Sequence, residues 1–175
     1  GLVTEICLAL AADGALDYLS LTAGSSTDAA GSIHIVPPMS VDNAYLGAAA
    51  GRLKALLDIP LMVTGRINQP QLAEHILQQG WADLCGMTRA NICDPEIANK
   101  SRRGETGRIR ACIACNQACI GHEQLGYPIS CIQRPETGRE LEHAAMAPAR
   151  ASRRVYVAGG GPAGLKAASV AASRG

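Results

Sequence analysis

The spacing of Cys112, Cys115, Cys119 and Cys131, C-x2-C-x3-C-x11-C, restricts this chain more than any other feature of its sequence. Thiolates are soft ligands that suit zinc or iron–sulfur clusters. Three of them within eight residues can wrap one side of a compact cubane, and a fourth from farther along closes it. Structural zinc sites more often use two separated C-x2-C knuckles, and only one is present here. The spacing therefore favours an iron–sulfur cluster, with a zinc-stabilised α/β binding module without redox activity as the alternative. Seven cysteines is an odd number, and their crowding is unlike the even spread of a secreted disulfide framework. Cys7, Cys85 and Cys93 read as small buried hydrophobes, and the compartment reads as cytoplasmic.

Ahead of the cysteines, the chain carries a βα rhythm. Residues 1–13 have Val3, Ile6, Cys7 and Leu10 at helical spacing, with Gly14 as the stop. Residues 16–22 alternate like a strand and run into a loop of small residues. Asp42 is placed to cap a helix over 42–57. Pro60 introduces a buried strand over 61–64, and Pro70 and Gly80 bracket a helix over 70–79. A second buried strand is expected over 82–86, and Asp94–Pro95 opens a further helix ending near Gly104. Strand, loop and helix in alternation predict a parallel sheet covered on both faces. After residue 105 the periodicity stops, and Arg102, Arg103, Arg108 and Arg110 lead into the cysteines. There, cations can offset the negative charge of a thiolate-held cluster.

Two glycine–arginine pairs, Gly65–Arg66 and Gly86–Met87–Thr88–Arg89, each follow a strand. In a (β/α)8 barrel, the loops after strands seven and eight commonly build a phosphate site. Glycine lets backbone N–H groups approach an anion, and arginine adds a charge-assisted fork. A third pattern, Gly159-x-Gly161-x-x-Gly164, follows a predicted strand from Arg154 and opens a helix over 162–173, the context of a dinucleotide-binding turn. Gly159 makes the tight turn, Gly161 lets a pyrophosphate approach, and Gly164 lets helix and strand pack closely. An acidic ribose partner is expected roughly 20 residues further on, so the pattern does not separate FAD from NAD(P).

In this order, the residues from IPLMVTGRINQPQLAEHILQQGWADLCGMTRANICDPEIANK through IRACIACNQACI and SCIQRP to VYVAGGGPAGLKAA resemble the iron–sulfur branch of the Old Yellow Enzyme-like flavin oxidoreductases. That branch includes 2,4-dienoyl-CoA reductase and trimethylamine dehydrogenase; residues 1–60 match it more loosely. The resemblance implies the C-terminal part of an FMN-binding TIM barrel, a [4Fe–4S] cluster and the start of a Rossmann-like domain for FAD, ADP or NAD(P). It implies that Gly65, Arg66, Gly86 and Arg89 hold the FMN phosphate and that Met87 and Thr88 line the same loop through their backbones. Cys112, Cys115, Cys119 and Cys131 would ligate the cluster, and Gly159, Gly161 and Gly164 would begin the dinucleotide site. The partners implied are a small-molecule substrate and NAD(P)H or an electron-transfer partner. The activity implied is either reduction of an activated C=C bond or amine oxidation and demethylation.

The sequence departs from the family in the loop AGSSTDAAGSIHIVPPM, where the nearest histidine, His34, comes several residues late; it is held as the catalytic candidate. The expected divisions are 1–105 for the barrel part, 106–141 for the cluster segment, 142–153 for a linker and 154–175 for the start of the dinucleotide domain. The absence of an initiating Met and the stop at Gly175, just inside a new unit, lead us to expect a fragment of a longer protein. A net charge of +1 gives no global pull toward nucleic acid or membrane, and no apolar run approaches the roughly 20 residues of a membrane helix. The sequence does not speak to oligomeric state.

Overall fold

A computed structural model of the chain describes residues 1–143 and 147–175, divided into two compact units, Gly1–Thr137 and Gly138–Gly175. Residues 144–146 of the expected linker 142–153 lie outside the described residues.

The first unit is α/β, built on a three-stranded parallel sheet in the order β1-β2-β3: β1 Leu19–Leu21, β2 Leu61–Thr64 and β3 Leu84–Gly86. Leu19 pairs with Leu61 and Leu21 with Val63 on one side; Met62 pairs with Leu84 and Thr64 with Gly86 on the other. This register puts the ends of β2 and β3, and the loops that follow them, at one edge of the sheet. Leu61 and Val63, at 0% and 1% exposure, point into the core, while Met62 and Thr64 face the other way and are half-buried. Ile76, Leu53, Leu57 and Ile67 close around them. β3 is less covered than a fully buried strand would be, since Leu84 is 48% exposed.

The helices are α1 Leu2–Ala12, α2 Ala29–Ser32, α3 Gly47–Lys54, α4 Pro70–Gln78, α5 Thr88–Cys93, α6 Ile97–Arg102 and α7 Ile120–Gln124, with a 3-10 turn at Thr106–Arg108. α4 runs between its predicted signals: Pro70 occupies the first turn, where its missing N–H is no loss, and Gly80 takes φ +65° just past the end. α3 is shorter than the predicted helix over 42–57. Ala44, at φ +53°, breaks the backbone before it, so Asp42 caps nothing there and Leu46 is the N-cap. β1 is shorter than 16–22 because only Leu19–Leu21 have partners on β2.

The helix predicted to open at Asp94–Pro95 starts at Ile97. Asp94 Oδ1 accepts from the Glu96 N–H at 3.2 Å and holds the turn before it. Asp83 fixes the start of β2: its Oδ2 accepts from Leu61 N at 2.7 Å, and its N–H donates to the Leu61 carbonyl at 2.8 Å. Lys54 reaches the same carboxylate at 2.8 Å, and this hydrogen-bonded cation, with the Leu61 N–H, holds Asp83 below the usual carboxylate range.

The second unit carries α8 Glu140–His143 and α9 Pro162–Ser173. α9 begins at Pro162 as predicted, but residues 154–158 form no strand. A strand needs a neighbour to take its N–H and C=O groups, and none of the described residues pairs with them. Among the described residues, no helix is long and apolar enough to cross a membrane.

Candidate functional site

The loops that follow all three strands meet the cysteine segment at one end of the sheet. A cavity of about 280 Å³ opens there, near the lower edge of the small-molecule range. Gly65, Arg66, Gly86, Thr88 and Arg89 line it together with His34, Cys112 and Cys119. Both glycines are required by close packing. A Cβ on Gly86 would overlap Thr64 Oγ1, and one on Gly65 would sit 2.8 Å from the Tyr45 ring.

Arg66 holds φ +51°, a left-handed conformation that non-glycine residues rarely adopt and that costs roughly 1–3 kcal/mol. Its Nη1 donates to the Met39 carbonyl at 3.1 Å, and its own carbonyl accepts from Ala44 N at 3.3 Å. Met87 packs against the apolar core, and its carbonyl accepts from the Asn91 side chain at 2.8 Å. The stretch after Met87, read from sequence as loop, is α5, so Arg89 leaves from the first turn of a helix.

A second, smaller cavity is lined by all four predicted ligands, Cys112, Cys115, Cys119 and Cys131, and by Arg89. Ala114 and Asn116 flank Cys115 with φ +55° and +58°, which coils the segment tightly around it. The Ala114 N–H donates to Cys112 Sγ at 3.4 Å. Burial pushes the Cys112 thiol up, against the opposing pull of that N–H and of Arg89. All seven cysteines are free. Among the described residues, no group of three or more His, Cys, Asp or Glu side chains is arranged to hold a single metal ion.

Arg89, which the sequence places in the anion loop, also faces the sulfurs. Burial lowers its guanidinium below its ordinary value, while the charges of Cys112 and Cys119 raise it. Of the arginines leading into the cysteines, Arg103, Arg108 and Arg110 have other partners. Arg103 and Arg108 pair with Glu105 at 3.1 and 3.7 Å, and Arg110 donates to the Gln133 carbonyl at 2.8 Å.

Two side-chain amides tie the cysteine segment to the strand loops, and the sequence reading named neither. Asn68, after β2, donates to the Cys112 carbonyl at 2.9 Å. Asn116 donates to the Val36 carbonyl at 2.8 Å and accepts from Arg89 Nη1 at 2.6 Å. The only sequence signal for them is position, one beside Gly65–Arg66 and the other between Cys115 and Cys119.

His34 lines the larger cavity but is exposed. Its carbonyl accepts from the Tyr45 hydroxyl at 2.9 Å, and its ring centroid is 6.0 Å from that of Tyr45. Burial raises the Tyr45 phenol against the pull of Arg89.

In the second unit, a Cβ on Gly164 would overlap the Gly159 carbonyl, and Gly159 takes φ +111°; both positions demand glycine. Gly161 is the N-cap of α9 and faces open space.

No family model matches the chain. It is 44% identical over 140 residues to a metal reductase of Desulforamulus reducens, covering 80% of this chain and 20% of that protein. It is 38% identical over 169 residues to an N,N-dimethylglycine/sarcosine dehydrogenase of Chromohalobacter salexigens, covering 94% and 24%. Among solved structures, it matches a 2-naphthoyl-CoA reductase in complex with 2-naphthoyl-CoA. That match has a TM-score of 0.88 at 30% identity, covering 98% of this chain and 26% of that one. The chain thus spans about a fifth to a quarter of the length of the relatives it matches.

Proposed function

From a chain that belongs to the Old Yellow Enzyme-like oxidoreductases, as a segment of about a quarter of their length, we propose one electron-transfer region of a flavin- and iron–sulfur-dependent enzyme. It would pass electrons between NAD(P)H or an organic substrate, FMN and a [4Fe–4S] cluster. The observation that carries this reading is that Arg89 lines both the glycine–arginine cavity and the four-cysteine cavity.

The donor set suits the groups proposed. Gly65 and Gly86 leave backbone room for a phosphate, and Arg66 and Arg89 supply two cations beside it. Cys112, Cys115, Cys119 and Cys131 supply four soft ligands around one cavity. The four thiols line one cavity, and their C-x2-C-x3-C-x11-C spacing, with a single C-x2-C knuckle, favours a cluster over the zinc-stabilised module. When bound, a flavin accepts a hydride as two electrons and a cluster passes them singly.

We also propose that residues 1–105 are the C-terminal part of an FMN-binding (β/α)8 barrel, 106–141 the cluster segment and 154–175 the start of a domain for FAD, ADP or NAD(P). Gly159, Gly161 and Gly164 would open that last site. The proposal keeps both substrate classes, because the proteins this chain resembles include an N,N-dimethylglycine/sarcosine dehydrogenase and a 2-naphthoyl-CoA reductase. His34 remains a candidate on its place in the cavity wall alone.

Anaerobic purification tests the reading. Stoichiometric iron and sulfide are expected, with broad visible absorbance that dithionite bleaches and that Cys115→Ser removes. Zinc without sulfide would overturn it. Turnover of enoyl-CoA substrates against N-methyl amines then assigns the substrate class.

A further inference from the structure

Asn116 uses both ends of its side chain on two separate parts of the first unit. Arginine can only donate, so the atom facing Arg89 Nη1 at 2.6 Å is the amide oxygen. The nitrogen then faces the Val36 carbonyl at 2.8 Å, in the loop after β1. The amide sits between Cys115 and Cys119, while its partner Arg89 reaches into the glycine–arginine cavity as well.

We propose that Asn116 is a positioning residue through which the order of the cysteine loop controls how firmly Arg89 is held at the anion cavity, so that cluster assembly and FMN affinity are coupled. The inference rests on the functional reading above. Ligands at Cys115 and Cys119 pin the backbone between them, which fixes the amide; the amide in turn takes one guanidinium nitrogen and leaves the rest of the fork for the phosphate. Without the amide, the long arginine side chain recovers its rotamer freedom and binds an anion less well. Coupling of binding free energies is reciprocal, so FMN would stabilise the cluster by the same factor.

The alternative is that Asn116 is present only because asparagine tolerates its φ of +58°. Asn116→Gly adopts that backbone freely and removes the amide, whereas Asn116→Asp keeps an acceptor for Arg89 and gives up only the N–H that reaches the Val36 carbonyl. In the holoenzyme stripped of flavin, FMN affinity is measured by fluorescence titration with the cluster loaded and after anaerobic chelation, alongside iron and sulfide content.

The wild type is expected to lose roughly tenfold in FMN affinity when the cluster is removed. Loaded Asn116→Gly is expected to bind FMN roughly tenfold more weakly than wild type and to lose nothing further on chelation, while Asn116→Asp stays within about threefold. An Asn116→Gly protein with wild-type affinity and wild-type response overturns the proposal. So does a wild type whose FMN affinity ignores the cluster, whatever the variants do. A wild type without iron and sulfide removes the functional reading, and this inference with it.

Discussion

The Asp94 carboxylate accepts from the Lys100 ammonium at 2.6 Å with only 5% of the aspartate exposed. The same oxygen accepts from Arg110 N at 2.9 Å, so this pair anchors the chain entering the cysteine segment. Burial pushes the carboxyl up, but Lys100 and the Arg110 N–H outweigh it and hold Asp94 below its ordinary value. Lys100→Met leaves a buried charge facing N–H donors alone. Because Lys100 keeps some solvent access, the expected cost is about 2–3 kcal/mol, under the usual 3–5 for a fully buried pair. The native carboxyl is depressed, so its contribution is present above the ordinary value near 4 and lost as pH falls through the lower native value. Urea midpoints of wild type and Asp94→Asn should differ constantly from pH 7 to about 5 and converge below about pH 4. Equal midpoints at pH 7 would show that the pair stabilises nothing.

Cys93 is 1% exposed, and burial, with Cys131 beside it, pushes its thiol up to about 12. Gln133 Nε2 donates to its sulfur at 3.3 Å and to the Ala111 carbonyl at 3.0 Å. Iodoacetamide at pH 8.5 should leave Cys93 unlabelled in the native protein and label it fully in denaturant, read by peptide mass mapping. The raised native value also means that stability is full below the unfolded thiol's value near 8.5 and falls as pH rises toward 12. Cys93→Ser should flatten that alkaline decline.

The legible parts of the fold were those whose signal is local. Pro70 and Gly80 mark α4 because each residue has a backbone property that the helix end requires. β2, the C-terminal end of β3 and the ends of α9 are legible for similar reasons, while β3 begins at Leu84 and not at residue 82. What escaped depends on contacts between distant segments. The limits of β1 are set by which residues find partners on β2, and residues 154–158 find no strand partner among the described residues. Left-handed backbone at Ala44, Arg66, Ala114 and Asn116 carries no glycine to announce it, so the sequence shows neither the late start of α3 nor the coil around Cys115. At the site, the spacing pointed to four cysteines, and the structure lines one cavity with all four. It pointed to neither Asn68 nor Asn116, since an asparagine tether is visible only once both of its ends are in place.

Trp81, the one tryptophan, lies across two glycines of α3. A Cβ on Gly47 would stand 2.7 Å from its ring, and one on Gly51 would stand 2.5 Å away. Glycine inside a helix normally costs about 1 kcal/mol relative to alanine, so Gly51→Ala would stabilise an open helix. Here overpacking against the ring costs about 1–3 kcal/mol and should win. The expected result is a net loss near 1 kcal/mol with a red-shifted tryptophan emission. A variant more stable than wild type, with unchanged emission, would falsify the packing account.

Thr64 and Gly86 face each other across β2 and β3, and both line the larger cavity. A Cβ on Gly86 would overlap Thr64 Oγ1 and stand 3.0 Å from Thr64 Cβ. Gly86→Ala should therefore cost about 1–3 kcal/mol and push the start of the Met87–Arg89 turn outward. Thr64→Ala alone removes one hydroxyl and one methyl from a half-buried position and should cost under about 1 kcal/mol. Combined, the two changes remove the oxygen overlap but leave the tight Cβ approach, so rescue should be partial. A coupling of about 0.5–2 kcal/mol in a double-mutant cycle is expected. Thermal unfolding of the four proteins supplies the cycle, and strict additivity would mean that Gly86 is required for a reason other than Thr64.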